Sequence, residues 1–398
     1  MTILYNKKSV EDLEVNGKRV FVRCDLNVPI ENGQVANDRR IKASVPTIEY
    51  LYQRGGIVIL ASHLGRPKGE RKPEMSLRPV AARLTEILGR PVHFAEDCIG
   101  EATEQQVAAL KPREIILLEN LRFHKEEEKN DPEFSKKLAR LADVYVNDAF
   151  GTAHRAHAST EGITHHLSPC AAGFLIDKEL KYLGNALAQP ERPLLAILGG
   201  AKVGSKIGVI TQLMKQVDTL VIGGGMAYTF LKVQGIGIGD SLFDSESAET
   251  ARKILADAEQ SKVKLVLPVD CVVADKFDNA ANREVVDIDK IPVGWMGMDI
   301  GPRTIERIKE EVAQARTIVW NGPVGVFEMD NFAIGTRAVA DAVAASKGVT
   351  VLGGGETAQA AEDFGVDGRM THVSTGGGAS LEFMEGRVLP GIAALDDK

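Results

Sequence analysis

One unit recurs along this 398-residue chain and limits the folds open to it: a short β-branched apolar run, a glycine-rich or polar turn, then apolar residues at helical spacing. The runs fall at 20–22, 57–60, 114–118 and 144–146 in the first half, and at 194–198, 219–222, 264–267, 317–320 and 349–352 in the second. Helical spacing fills the intervals, as at 77–88 and at 247–259, where Ser247 stands ready to cap the first turn. Strands alternating with helices build parallel sheets, because a parallel partner requires a crossover connection. The pattern predicts an α/β protein of two doubly wound, parallel-sheet, Rossmann-like domains joined by a hinge, with a cleft between them. Pro190 and Pro193 end a helical stretch and open a new strand, which sets the domains at 1–185 and 190–380.

Composition and charge exclude several classes. Apolar residues at 44% and charged residues at 26% suit a packed globular core. No apolar run approaches the roughly 18–20 residues of a membrane span. Lys7 and Lys8 follow the first apolar residues instead of preceding them, the reverse of a secretory signal, so the chain is expected in the cytoplasm. Cys24, Cys98, Cys170 and Cys271 are too far apart for a Cys-x-x-Cys motif and fit a reducing compartment. A net charge of −7 speaks against a nucleic-acid partner. The deficit lies in the second half, and the near-neutral first half keeps enough arginine for a local anion site.

Ligands of open parallel sheets bind beyond the carboxyl ends of the strands, and there the two halves differ. Residues after the first-half runs include Asp25, Asn27, His63, Arg66, Arg122 and Arg155, with Arg40 just before a helical stretch. Four guanidinium forks that repel one another without an anion point to a phosphate or carboxylate ligand. Asp25 and Asn27 suit a hydroxyl, so the ligand is a small anion that also carries an alcohol. The second half offers bare backbone instead, at 199–200, 223–225, 353–355 and 376–378. Glycine between strand and helix lets N–H groups approach a phosphate, and the repeated triplets indicate a nucleotide pocket. Lys202 and Lys206 are expected on one helical face with an anion between them. The order Gly-Ser-Lys at 204–206 is not the Gly-Lys-Ser/Thr ending of a Walker A loop, and protein-kinase signatures are absent. His63, His154 and His157 supply too few ligands for a closed zinc site.

Taken together, segments 23–29, 62–67, 118–122, 148–157, 199–206, 320–328 and 374–380 resemble the phosphoglycerate kinase family over essentially the whole chain. The resemblance implies a first domain for 3-phosphoglycerate or 1,3-bisphosphoglycerate, held by Asp25, Leu26, Asn27, Arg40, His63, Leu64, Gly65, Arg66, Arg122 and Arg155. It implies a second domain for MgADP or MgATP, held by Gly200, Ala201, Lys206, Gly297, Asn321 and Glu328 and by the loop Gly353, Gly354, Gly355, Glu356 and Thr357. Where the family commonly has Gly-Gly-Gly-Asp, this chain has Glu356, expected to serve the nucleotide's magnesium with altered affinity. The implied reaction is direct, reversible phosphoryl transfer from 1,3-bisphosphoglycerate to ADP, giving 3-phosphoglycerate and ATP. An acceptor carboxylate is already ionised, so no general base is needed. Arg40, Lys202, Lys206 and the N–H groups of Gly376, Gly377 and Gly378 are expected around the moving group. Hinge closure near 185–193 is expected to expel water, and 381–398 to pack back on the first domain. The family also implies a monomer with small-molecule substrates and no membrane partner.

Two other classes fit parts of the pattern. A dinucleotide-dependent oxidoreductase needs Gly-x-Gly-x-x-Gly after a leading strand, whereas Gly235, Gly237 and Gly239 follow a helical stretch. A two-lobed anion receptor without catalysis would carry a secretory signal and have no use for the lysine pair.

Overall fold

A computed structural model describes residues 5–398 and divides the chain into two compact units, one of residues 5–181 with 388–398 and one of residues 182–387. The first unit is built on β1 (Arg19–Cys24), β2 (Ile57–Ala61), β3 (His93–Ala95), β4 (Ile115–Leu118), β5 (Val144–Asp148) and β6 (Cys170–Ala172). They lie in the order β3-β4-β2-β1-β5-β6, every neighbour parallel. Strands β2, β4 and β5 are buried throughout, which is why they read as unbroken apolar runs and not as alternation. Helices Arg39–Gln53 and Arg78–Leu88 press Ile41, Ile48, Leu51, Val80 and Leu84 onto the same core as Val20, Val22, Val58 and Leu60. Each such side chain contributes about 1.5–3 kcal/mol on burial. Gly89, at φ +62°, takes the left-handed turn that stops the second of these helices.

The second unit repeats the plan with β7 (Leu194–Leu198), β8 (Thr219–Ile222), β9 (Lys264–Val266), then β13 (Thr317–Asn321), β14 (Val349–Gly353) and β15 (His372–Val373). Their order is β9-β8-β7-β13-β14-β15, again all parallel. Between β9 and β13 the chain inserts a feature the sequence pattern did not reveal, a three-stranded antiparallel sheet of β10 (Asp270–Ala274), β11 (Arg283–Asp287) and β12 (Met296–Ile300), with β10 central. Among the described residues no helix is long and apolar enough to cross a membrane.

Several expectations change in the structure. The division between units falls between Lys181 and Tyr182, inside consecutive helical segments Phe174–Glu179, Leu180–Gly184 and Asn185–Ala188, ahead of Pro190 and Pro193. At the carboxyl end the return to the first unit begins at Val388, not at 381, because helix Gly378–Met384 packs within the second unit. Lys7 Nζ donates to the carbonyls of Ala393 and Leu395, Asn147 Nδ2 to that of Gly391, and the Cys170 amide to Asp396. Ser247 precedes helix Ala248–Gln260 but does not cap it; its hydroxyl donates instead to Asp244 Oδ2 at 2.8 Å. Lys202 and Lys206 do not share a helical face. A 3₁₀ turn, Gly204–Lys206, comes before helix Ile207–Leu213, and it turns Lys206 inward while leaving Lys202 exposed.

Candidate functional site

Each sheet has a switch point where successive strands depart to opposite sides, between β1 and β5 in the first unit and between β7 and β13 in the second. The crevice beyond the carboxyl ends of such strands is where open α/β sheets bind ligands.

At the first switch point Asp25, Leu26 and Asn27 leave β1. Asp25 is buried and both its oxygens lie 3.2 Å from Arg40 Nη1. Leu26 donates its amide to Ser62 Oγ, and Asn27 Oδ1 accepts the Gly65 amide at 2.9 Å, so the turn after β1 holds the turn after β2. Gly65 in turn gives its carbonyl to Arg122 Nη1 at 3.0 Å. Arg122 is almost fully buried, with Glu128 3.4 Å from its Nε, an atom that makes no hydrogen bond. Arg66 and Arg155 are exposed, and Arg155 donates to His154 Nε2.

The sequence reading passed over the group that organises this pocket. Arg23, wholly buried inside β1, donates to the Cys24 carbonyl, to Ser159 Oγ at 2.9 Å and to His63 Nδ1 at 3.1 Å. Ser159 passes on to Glu127, also wholly buried, through both its hydroxyl and its amide. A guanidinium only donates, so His63 Nδ1 is the bare nitrogen and the proton sits on Nε2. Burial, with the charges of Arg23, Arg122, Arg40 and His157 beside it, pushes His63 well below the usual imidazole range and keeps it neutral. The same forces take His157 down to about 3. Burial, reinforced by Arg23 and Arg155, lowers even Arg122. A site that depresses His63, His157 and Arg122 together is one an anion relieves. Glu119 and Asn120 were missed as well: Glu119 accepts from Ser76 and from the Leu77 and Asn120 amides, and Asn120 Nδ2 donates to Leu64 and Met75, fixing the 62–77 loop. The available signal was an arginine inside an otherwise apolar strand, which must be paired if it is buried.

At the second switch point the glycines act differently from the expectation. The amides of Gly199, Gly200, Gly223 and Gly224 are not free for a phosphate; they donate to Asn321, Pro323, Leu198 and Val324. These turns are stitched to one another, and a Cβ at Gly224 (φ +64°) would lie 2.7 Å from the Gly200 nitrogen. Lys206 occupies the seam, its ammonium donating to the Gly199 carbonyl at 2.6 Å and to the Asn321 carbonyl and Oδ1 at 3.0 and 2.7 Å. Burial brings it down to about 8, with Glu356 acting to raise it. The Gly376 amide is likewise taken, by Ser374 Oγ, and the buried Thr357 hydroxyl accepts from Gly322.

Beside the seam opens a cavity of about 490 Å³, lined by Tyr228, Leu242, Met296, Gly297 and Val324, with Glu328 and Glu356 also at its wall. Its size and mostly apolar lining suit a nucleoside. Gly297 is obligatory there because a Cβ would overlap the Tyr228 hydroxyl. Glu356 is exposed in the first turn of helix Gly355–Asp363, and its charge reaches Lys206. Magnesium is ordinarily held by one or two carboxylates together with a nucleotide's own phosphates, and Glu356 is a carboxylate of that kind.

An α/β chain with a cationic pocket on one unit and a nucleoside-sized cavity beside a buried lysine on the other has the parts of an ATP-dependent phosphotransferase. The phosphoglycerate kinase family model matches residues 10–387. A phosphoglycerate kinase of Moorella thermoacetica is 58% identical over 392 residues, 98% of this chain and 100% of the relative, and one of Chloroherpeton thalassium is 56% identical over 98% and 99%. The structure of phosphoglycerate kinase from Coxiella burnetii superposes with a TM-score of 0.89 at 42% identity, covering 98% of each chain. The chain belongs to the phosphoglycerate kinase family, and the glycolytic phosphoryl transfer of that family is its activity.

Proposed function

We propose that residues 5–181 with 388–398 hold the glycerate substrate and residues 182–387 hold MgADP or MgATP. The chain then moves a phosphoryl group directly between the acyl phosphate of 1,3-bisphosphoglycerate and ADP. The observation that carries this assignment is the contrast between the two switch points: buried guanidiniums around a neutral histidine in one, and a seam of stitched glycines holding Lys206 beside an apolar cavity in the other. Asp25 and Asn27 orient the glycerate hydroxyl, the Nε2–H of His63 donates to its carboxylate, and Arg66, Arg122 and Arg155 take its phosphate. Leu26, Leu64 and Gly65 shape the wall. Gly200, Ala201, Gly297, Asn321, Glu328 and the Gly353–Gly355 turn receive the nucleotide.

In the reverse direction the attacking carboxylate is already ionised and needs no base. The chain's task is alignment and neutralisation of the moving group. We assign that task to Arg40, Lys202 and Lys206 with the Gly377 and Gly378 amides, so Lys206 exchanges its three carbonyl acceptors for phosphoryl oxygens. Glu356 is the residue that would hold magnesium, which would supply charge neutralisation of the nucleotide's phosphates. Glu356→Asp, one methylene shorter, then shifts the magnesium dependence, and titrations that superpose on the parent's refute that role. Transfer requires the two ligands to meet, which we assign to a hinge at the Lys181–Tyr182 division; scattering that shows no compaction with both substrates bound refutes it. We place the enzyme in the cytoplasm as a monomer: its four cysteines are free and buried, as suits a reducing compartment.

The deciding experiment supplies 3-phosphoglycerate and MgATP and traps the acyl phosphate. The wild-type chain turns over, and Lys206→Ala loses about 10²–10³ in kcat, the scale of one preorganised charge contact. Near-normal turnover in the variant overturns the assignment.

A further inference from the structure

Away from both switch points, Asp97, Cys98 and His124 bring one ligand atom each to within 4.8 Å of one another. Asp97 and Cys98 follow β3, and His124 ends the 3₁₀ turn Leu121–Phe123, so the three come from segments that no short motif joins. Both segments are fixed. Thr103 Oγ1 donates to the carbonyls of Asp97 and Ile99, while the His124 amide donates to Leu121 and its ring packs on Phe134. Cys98 is wholly buried at the back, whereas the side chains of Asp97 and His124 are 39% and 25% exposed at the front.

We infer that these three residues form a binding site for a single thiophilic divalent cation of the zinc type. Tetrahedral zinc with bonds of about 2.0–2.3 Å sets its ligands about 3.3–3.8 Å apart. The cluster meets this spacing with small shifts: His124 Nε2 lies 2.6 Å from Asp97 Oδ1, and an ion entering between them replaces the proton that now joins them. The Cys98 thiol gives its proton to solvent as sulfur bonds the metal, and water completes the fourth position from the exposed side. Arg71, 3.4 Å from Asp97 Oδ2 and half exposed, is a cation that must swing aside. Sulfur in the set selects against magnesium, which the nucleotide site uses.

The test is a cobalt titration of the full chain. Expected are a thiolate-to-cobalt charge-transfer band that saturates at one ion per chain, release of protons to an indicator dye, and displacement by zinc but not by magnesium. Cys98→Ser abolishes the band, and His124→Gln weakens cobalt binding at least tenfold. Circular dichroism confirms that each variant is folded, and the partly exposed Asp97→Asn, also expected to bind at least tenfold more weakly, serves if Cys98→Ser is not. Absence of the band in the parent chain, its survival in Cys98→Ser, or unchanged affinity in His124→Gln or Asp97→Asn overturns the site.

Discussion

Arg23 never reaches solvent, yet it fixes which nitrogen of His63 carries the proton and, through Ser159, offsets the buried charge of Glu127. Replacing it with Met strands that carboxylate, which burial already pushes above its usual range. Arg23→Met is expected to cost about 3–5 kcal/mol in urea unfolding and to raise KM for 3-phosphoglycerate. Adding Glu127→Gln recovers part of the stability but none of the KM, because the His63 tautomer stays unheld. Lys206 gives a second prediction. With its ammonium titrating near 8 and a ligand that binds only the charged form, nucleotide affinity of the free enzyme is flat below pH 8 and falls about tenfold per pH unit above it. In Lys206→Arg, charged at every accessible pH, that slope disappears; a nucleotide titration series across pH 6–10 checks both. The arginines at strand ends were legible because position after an apolar run locates them. The role of Arg23 and the inward burial of Lys206 were not, because burial of a charge depends on partners 40 to more than 100 residues away, Ser159, His63 and Asn321.

Most of the strands read from the sequence are the fully buried ones; the partly exposed β9 was read as well, and the largely buried β10 was not. Strands β1, β2, β4, β5, β7, β8, β13 and β14 announced themselves as apolar runs since both faces meet protein. Strand β11 did not, as much of it faces solvent and Val285 is exposed, and β6 and β15 are too short to show a period. Glycines were seen, but not that the turns after β7, β8 and β13 approach so closely that backbone bonds to backbone. Gly224→Ala would force the Gly200 and Gly224 turns apart as well as strain a left-handed φ. We expect a loss of about 1–3 kcal/mol and a disturbed Lys206 seat, seen as weaker ADP binding with 3-phosphoglycerate binding unchanged. Equal weakening of both ligands would mean that the damage is not confined to the seam.

For the molecule as a whole, two cores were foreseeable from the doubled strand-helix pattern, whereas the return of residues 388–398 to the first unit was implied only by family resemblance, since no local pattern encodes a contact spanning nearly the whole chain. That return ties Lys7 to Ala393 and Leu395, Asn147 to Gly391 and Cys170 to Asp396. Removing 388–398 is expected to lower the unfolding midpoint of the first unit and, on the proposed assignment, to weaken 3-phosphoglycerate binding while ADP still binds; loss of both ligands together would show the units to be inseparable. Among the described residues the second unit is one uninterrupted stretch, Tyr182–Arg387, whereas the first is closed by residues 388–398, which follow that stretch. During synthesis, then, the half that is translated first is the half that finishes last, and it waits beside a growing chain for the eleven residues that lock it.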